Sequence, residues 1–176
     1  MVDTIRTETQ ILALLADNIT GDISPQDMRD IIVSLSVGGS MYVEDAAVTQ
    51  VVGTSFELMV LLDANGRSDG VTPDHTADSL TIDANADGEY VTHFDCTFSG
   101  TGSTEFDFHI RKNGLEVNGA GASKRKLGTG GDVGSMSMAG DLTLAEGDTV
   151  TVWIKADGSS KDFILSDGRL SIKRIK

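Results

Sequence analysis

The stretch Thr104-Glu105-Phe106-Asp107-Phe108-His109-Ile110-Arg111 alternates strictly, with Phe106, Phe108 and Ile110 set against Glu105, Asp107, His109 and Arg111. A period of two places the apolar set on one face of a strand and the polar set on the other. The same grammar extends in both directions. Upstream, Tyr90, Phe94, Cys96 and Phe98 fall on one face and His93, Asp95 and Thr97 on the opposite one. Downstream, Val150, Val152 and Ile154 alternate with Thr151, Trp153 and Lys155, and Leu170-Ser171-Ile172 closes the pattern. The clusters between and around these runs are Asp63-Ala64-Asn65-Gly66, Ala86-Asp87-Gly88, Ser99-Gly100-Thr101-Gly102, Lys112-Asn113-Gly114, Gly128-Thr129-Gly130-Gly131, Glu146-Gly147-Asp148 and Asp157-Gly158. Their residues tolerate positive φ or hydrogen-bond their own backbone, so all read as turns. Strands at this spacing with no helical pattern between them predict an antiparallel sandwich or barrel.

The first forty residues are written differently. Ile5, Ile11, Leu12, Leu14 and Leu15, with Thr7 and Gln10 spaced as a capping box, predict a short helix ending near Asp17-Asn18, followed by a turn at Thr20-Gly21-Asp22. Ser24-Pro25 then predicts a second start, since the hydroxyl can accept from a first-turn amide and proline at the first helical position loses no needed donor. Asp27 and Asp30 fall near the positive end of that helix's dipole. Met28, Ile31, Ile32 and Leu35 follow at helical spacing as one apolar stripe, and Gly38-Gly39 is expected to stop the helix. Helices this short are marginal alone, so the stripes need a partner. The expected division is residues 1–40 as a helical anchor or oligomerisation segment and 41–176 as the head.

Composition removes several classes of function. The chain has 176 residues and a formal net charge of -13. Residues 1–100 hold three basic and seventeen acidic side chains, whereas residues 101–176 hold eleven and ten. Nucleic-acid binding draws its affinity from lysine and arginine displacing counterions, so no nucleic-acid partner is expected. No apolar run approaches the roughly 18 residues of a membrane span, and no signal peptide is read at the start. A single cysteine, Cys96, excludes an intramolecular disulfide and is expected in the core.

No catalytic constellation and no cofactor are expected. His75, His93 and His109 show no metal-ligand spacing. Asp83-Ala84-Asn85-Ala86-Asp87-Gly88 matches the first half of a calcium loop, but the twelfth position is Phe94 where a bidentate glutamate is needed, so it reads as a turn. The glycine clusters lack the lysine and helix of a phosphate loop, and no Gly-x-Ser-x-Gly elbow is present. Lys124-Arg125-Lys126 is the one dense basic run, a solvated loop or a contact for an anionic partner. His93, His109 and Trp153, all outward on their strands, are candidates for a subunit seam, where aromatics are enriched.

Two resemblances cover nearly the whole chain. Residues Leu14 to Leu35 resemble a short module found near the N-terminus of many bacteriophage virion proteins. The remainder resembles the trimeric jelly-roll heads of the tumour-necrosis-factor and complement-globular-head type. The residues that carry the second likeness are Ile82 through Gly88-Glu89-Tyr90, Phe106-x-Phe108-x-Ile110-Arg111-Lys112-Asn113-Gly114, and Asp132-Val133-Gly134-Ser135-Met136. It continues in Leu142-x-Leu144-x-x-Gly147-Asp148 and Asp167-x-Arg169-Leu170-Ser171-Ile172.

Together they imply a mainly β fold: an antiparallel jelly-roll sandwich of about eight to ten strands preceded by two short N-terminal α-helices. They also imply a homotrimer on the exterior of a virion, assembled in the host cytoplasm. The expected function is that of a non-enzymatic capsid decoration (cement) protein that touches the major capsid protein or another virion protein. Its anchor or oligomer interface is expected at Ile11, Leu12, Leu15, Met28, Ile31, Ile32 and Leu35. The alternative is the receptor-binding head of a short head or tail fibre that recognises a host surface glycan or protein. No long fibrous shaft separates anchor from head, which sets the expectation against a long tail fibre. An enzyme such as a glycan depolymerase would need a cleft with paired carboxylates.

Overall fold

The computed structural model describes residues 4–16 and 23–176. The expected first-helix end at Asp17-Asn18 and the turn at Thr20-Gly21-Asp22 lie outside the described residues. Two helices lead the chain, α1 (Glu8–Ala16) and α2 (Pro25–Ser34). The strands follow as β1 (Gly38–Val43), β2 (Val48–Val52), β3 (Glu57–Leu58), β4 (Ala64–Asp69), β5 (Val71–Asp74), β6 (Ser79–Ile82) and β7 (Gly88–Gly100). Then come β8 (Glu105–Lys112), β9 (Leu115–Glu116), β10 (Ala122–Lys126), β11 (Gly134–Leu144), β12 (Thr149–Ala156) and β13 (Lys161–Arg174). Among the described residues thirteen strands exceed the eight to ten expected, partly because β3 and β9 are two-residue pairings.

Every described strand pair is antiparallel. The first sheet runs β11-β7-β13-β1-β4, with β2 also on β13; the second runs β10-β8-β12-β6-β5, with β3 on β12 and β9 on β8. The two apolar faces meet in one core. Phe98 and Phe163 come from the first sheet, Phe106 and Phe108 from the second, and Phe163 lies 4.9, 5.3 and 5.6 Å from the other three ring centroids in the order Phe98, Phe106, Phe108. Tilted and edge-on rings at this spacing add about 0.5–1.5 kcal/mol per pair beyond the area they bury. Cys96 is buried among these side chains as its alternation demands, and desolvation pushes its thiol pKa up.

Both helix starts form as their sequences dictate. Thr7 Oγ1 accepts from the Gln10 amide at 3.3 Å while Gln10 Oε1 accepts from the Thr7 amide at 3.0 Å. Ser24 and Asp27 make the same reciprocal pair at 3.2 and 3.0 Å. At the β8–β9 hairpin, Asn113 and Gly114 take φ of 52° and 72°, the two left-handed positions that an Asn-Gly turn supplies at low cost.

Two expectations are corrected. Gly38-Gly39 does not stop α2; the helix ends at Ser34 and both glycines open β1, so the strands start ahead of residue 41. A Cβ on Gly39 would lie 2.5 Å from Val71 Cγ1, which makes this a site of close approach and not of turning. Likewise, Ala64, Asn65 and Gly66 belong to edge strand β4, where Gly66 sits against Ser40 of β1 with no room for a side chain.

Candidate functional site

The two helical segments meet each other through polar groups, and Ile5, ahead of α1, packs against the core of the head. In α2 the buried side chains are Asp30 and Ser34, at 1% and 2% exposure. The apolar stripe points away: Met28, Ile32 and Leu35 are 47%, 61% and 70% exposed. Asp30 accepts from the Thr4 amide at 3.0 Å, from Gln26 Nε2 at 2.6 Å and from Arg6 Nε at 2.9 Å. The Thr4 amide, then Gln26 and Arg6, hold its carboxyl below the usual range against the opposing cost of burial. Asp30 therefore serves as the key that receives the segment before α1, beyond the dipole role expected of it. Ser34 Oγ accepts from the Arg6 amide at 2.7 Å and donates to the Asp30 carbonyl at 2.6 Å. Arg174, at the end of β13, donates to the carbonyls of Arg6 and Ser34 and so ties both helical segments to the head.

The apolar side left outside continues into α1. Leu12 and Leu15 are exposed, while Ile11 and Ile31 are half-buried. Ile11, Leu12 and Leu35 line a groove of about 300 Å³ together with Ile175. The structure thus gathers three of the seven expected interface residues around one groove and leaves Leu15, Met28 and Ile32 on exposed helix surface. Ile175 joins them from the far end of the chain.

On the outer face of the second sheet, residues expected at two separate sites converge. Trp153 and His109 are direct cross-strand partners. Lys124 reaches Asp107 with Nζ 3.1 Å from Oδ2, and Lys155 reaches the same oxygen at 3.5 Å. That contact with Asp107 pushes the Lys124 ammonium pKa up. His109 Nε2 lies 3.3 Å from Asp107 Oδ1, and Nδ1 lies 3.6 Å from Glu116. Phe56, from the β2–β3 loop, covers this cluster with its ring centroid 4.3 Å from that of His109. The Arg111 guanidinium sits 4.8 Å from the Phe56 centroid and 4.6 Å from that of Trp153, and Lys155 Nζ lies 4.4 Å from Phe56.

His109 is therefore mostly covered by its own chain. Phe56, Arg111, Lys155 and Asp107 were not singled out from sequence. Arg111 and Lys155 carried a signal in sharing a face with Trp153; Phe56 carried none.

The other expected contacts lie apart. His93 stands on β7 of the opposite sheet, between Asp95 and Ser137, so the three seam candidates do not form one surface. The basic run is strand β10 and not a loop; beyond Lys124, Arg125 lies 3.9 Å from Asp132 and Lys126 is exposed. In the calcium-like turn, Asp83 Oδ1 accepts from Thr72 of β5 at 2.7 Å and Asp87 Oδ1 from the Glu146 amide of the β11–β12 loop at 2.5 Å, so both carboxylates are engaged with neighbouring segments. Among the described residues, no group of three or more His, Cys, Asp or Glu side chains is placed to hold a metal ion.

No family model matches the chain, and no curated protein matches it. Solved structures do. The globular domain of the zebrafish complement 1qA protein is 12% identical with a TM-score of 0.50, covering 79% of this chain and 97% of its own. Murine APRIL is 15% identical with a TM-score of 0.50, covering 79% and 100%. The Eiger TNF of S. frugiperda is 10% identical with a TM-score of 0.52, covering 80% and 93%. At these identities the likeness establishes the fold: the head is a jelly roll of the type these domains share.

Proposed function

We propose that this chain is a non-enzymatic structural protein of a bacteriophage virion, a homotrimeric capsid decoration (cement) protein. Its helices seat on the particle and its jelly-roll head projects outward. The observation that carries the reading is the inverted polarity of α2, which buries Asp30 and Ser34 and leaves Met28, Ile32 and, just beyond its end, Leu35 exposed. Exposed apolar surface of this kind is what a contact with another chain removes from water. The likeness of residues 14–35 to virion modules supports the choice of particle, and a folded head with its own core supports an anchor-plus-head arrangement. Purified protein added back to stripped capsids is expected to rebind, and the double variant I32D/L35D is expected not to, with the β-sheet circular dichroism unchanged. Failure of the unaltered protein to rebind overturns the reading. Light scattering is expected to report three copies at micromolar concentration, and a stable folded monomer contradicts the trimer.

The Phe56–Arg111–Trp153 arrangement favours a second reading, a receptor-binding head, because tryptophan and arginine dominate the energetics of many interfaces. In that case the purified protein adsorbs to host cells or envelope preparations, and Trp153→Ala abolishes adsorption. A cement protein adsorbs with neither sequence.

A further inference from the structure

On the outer face of the second sheet, Arg111 is held in place by its own chain and left without a counterion. Its guanidinium lies over two rings, 4.8 Å from the Phe56 centroid and 4.6 Å from that of Trp153. One N–H donates to the Gly114 carbonyl at 3.2 Å. The neighbouring charges are committed elsewhere: Lys124 and Lys155 both pair with Asp107. Glu116, the direct cross-strand partner of Arg111, lies 3.6 Å from His109 Nδ1. Among the described residues Arg111 forms no ion pair, and its Nε is buried with no hydrogen-bond acceptor. Folded proteins satisfy nearly all buried polar groups, so this donor calls for an acceptor supplied from outside the chain.

Building on the receptor-binding reading of Phe56, Arg111 and Trp153, on which this step rests, we propose that the face binds an acidic saccharide. One sugar carboxylate sits on Arg111, and sugar hydroxyls donate to Glu116. A planar carboxylate matches the guanidinium fork, and a fork already fixed by two rings loses little freedom on binding. Trp153 and its cross-strand partner Leu58 give the sugar ring apolar surface beside the charge. Glu116 is exposed, and a carboxylate can only accept, which suits hydroxyls. Asp107 and Glu116 on the same face repel a polyphosphate or a second carboxylate, so the site selects a single negative charge.

Access to Nε runs past Phe56. That ring comes from the β2–β3 loop, where Thr54 and Ser55 are exposed and a Cβ on Gly53 would meet nothing within 4 Å. Loosely packed loops open at low cost, so the ring yields and the carboxylate reaches Nε along with the outer nitrogens. The helical module takes no part in this site: Arg174, which ties the helices to the head, belongs to β13 of the other sheet.

Trp153 is the single tryptophan of the chain, so intrinsic fluorescence reports on this site alone. The full chain is titrated with galacturonate, glucuronate and N-acetylneuraminate, and with galactose and acetate as the neutral sugar and the bare carboxylate. At least one acidic sugar is expected to change the Trp153 emission saturably, about tenfold or more tighter than galactose or acetate, and to weaken as salt is added. R111Q is expected to lose about tenfold or more in affinity with its circular dichroism unchanged. R111K keeps the charge without the fork and is also expected to bind more weakly, which keeps the test open should R111Q not fold. K126Q makes the R111Q charge change at an exposed residue on the same sheet face and is expected to bind as the unaltered chain does. No saturable response to any of the three acids, acetate binding as tightly as they do, or an equal loss in K126Q overturns the proposal. Binding of an acidic sugar without adsorption to host cells supports the ligand class and removes the receptor reading. Adsorption that no acidic sugar competes away keeps the receptor reading and overturns the ligand class.

Discussion

Helix α2 and strand β8 obey opposite rules. In β8 the apolar residues Phe106, Phe108 and Ile110 are buried and close the core with the facing sheet. In α2 the buried residues are Asp30 and Ser34, whereas Met28 and Ile32 are exposed and Ile31 is only half-buried. The head thus completes its burial within one chain, whereas the helical module is held together by hydrogen bonds and the Arg6–Asp30 ion pair, meets the head through Ile5 and the Arg174 hydrogen bonds, and leaves Leu12, Leu15, Met28, Ile32 and Leu35 exposed. The contrast separates what folds the chain from what it offers to others.

The contrast can be broken most forcefully from the core side. Phe163→Ala removes a ring in contact with three others and is expected to cost about 3–5 kcal/mol, read from urea unfolding of the β signal, with the helices lost along with the head. A small loss would mean that the cluster is not the centre of the fold.

Acid separates the two regions by sign. The folded pKa of Asp30 is below its ordinary 3.8, so its stabilising contribution is complete above that value and is lost as the pH falls beneath it. Asp78 behaves oppositely. Burial raises its pKa to about 6 although Oδ1 accepts from the Leu62 amide, so the folded head gains stability as the pH drops from 7 towards 4. Hydrogen exchange is expected to show α2 amides loosening below about pH 4 while head amides stay protected, and Asp78→Asn is expected to flatten the head's gain between pH 7 and 4. Simultaneous loosening of both regions would show that the helices are part of the head's cooperative unit.

Ser24→Ala removes the α2 cap and is expected to cost about 1 kcal/mol, seen as faster exchange in the first turn of α2 and a nearly unmoved head midpoint. The smallest expected effect on folding is also the most telling. Ile32→Asp with Leu35→Asp is expected to change the stability of the dissociated chain by less than about 0.5 kcal/mol, as surface substitutions do. A loss of several kcal/mol would place the stripe inside the fold.

Much of the head was legible because alternation is a local signal. The inward set from Tyr90 to Phe98 and the β8 and β12 faces follow from period two alone, and the Thr7–Gln10 capping box follows from spacing three, whereas at Ser24 the cap was legible and the return bond from Asp27 was not. What could not be read was the orientation of α2. Its apolar stripe is the face that ordinarily turns inward, and the groups that reverse it, Thr4, Arg6 and Arg174, are supplied by distant sequence. Gly39 was misread for a related reason, since only the approach of Val71 distinguishes a packing glycine from a helix stop. At the outer-face sites, the pairing of His109 with Trp153 depended on the β8–β12 register and the contact of His93 with Ser137 on the β7–β11 register, and single-strand patterns do not fix register.

Methionine oxidation by hydrogen peroxide tests the exposed stripe most directly, because Met28 lies within it while Met41 and Met59 are buried in the head. In the dissociated protein Met28 is expected to oxidise readily as Met41 and Met59 resist, and in the assembled particle Met28 is expected to become as resistant as they are. Protection of Met28 in the dissociated chain, or equal reactivity before and after assembly, would contradict the account.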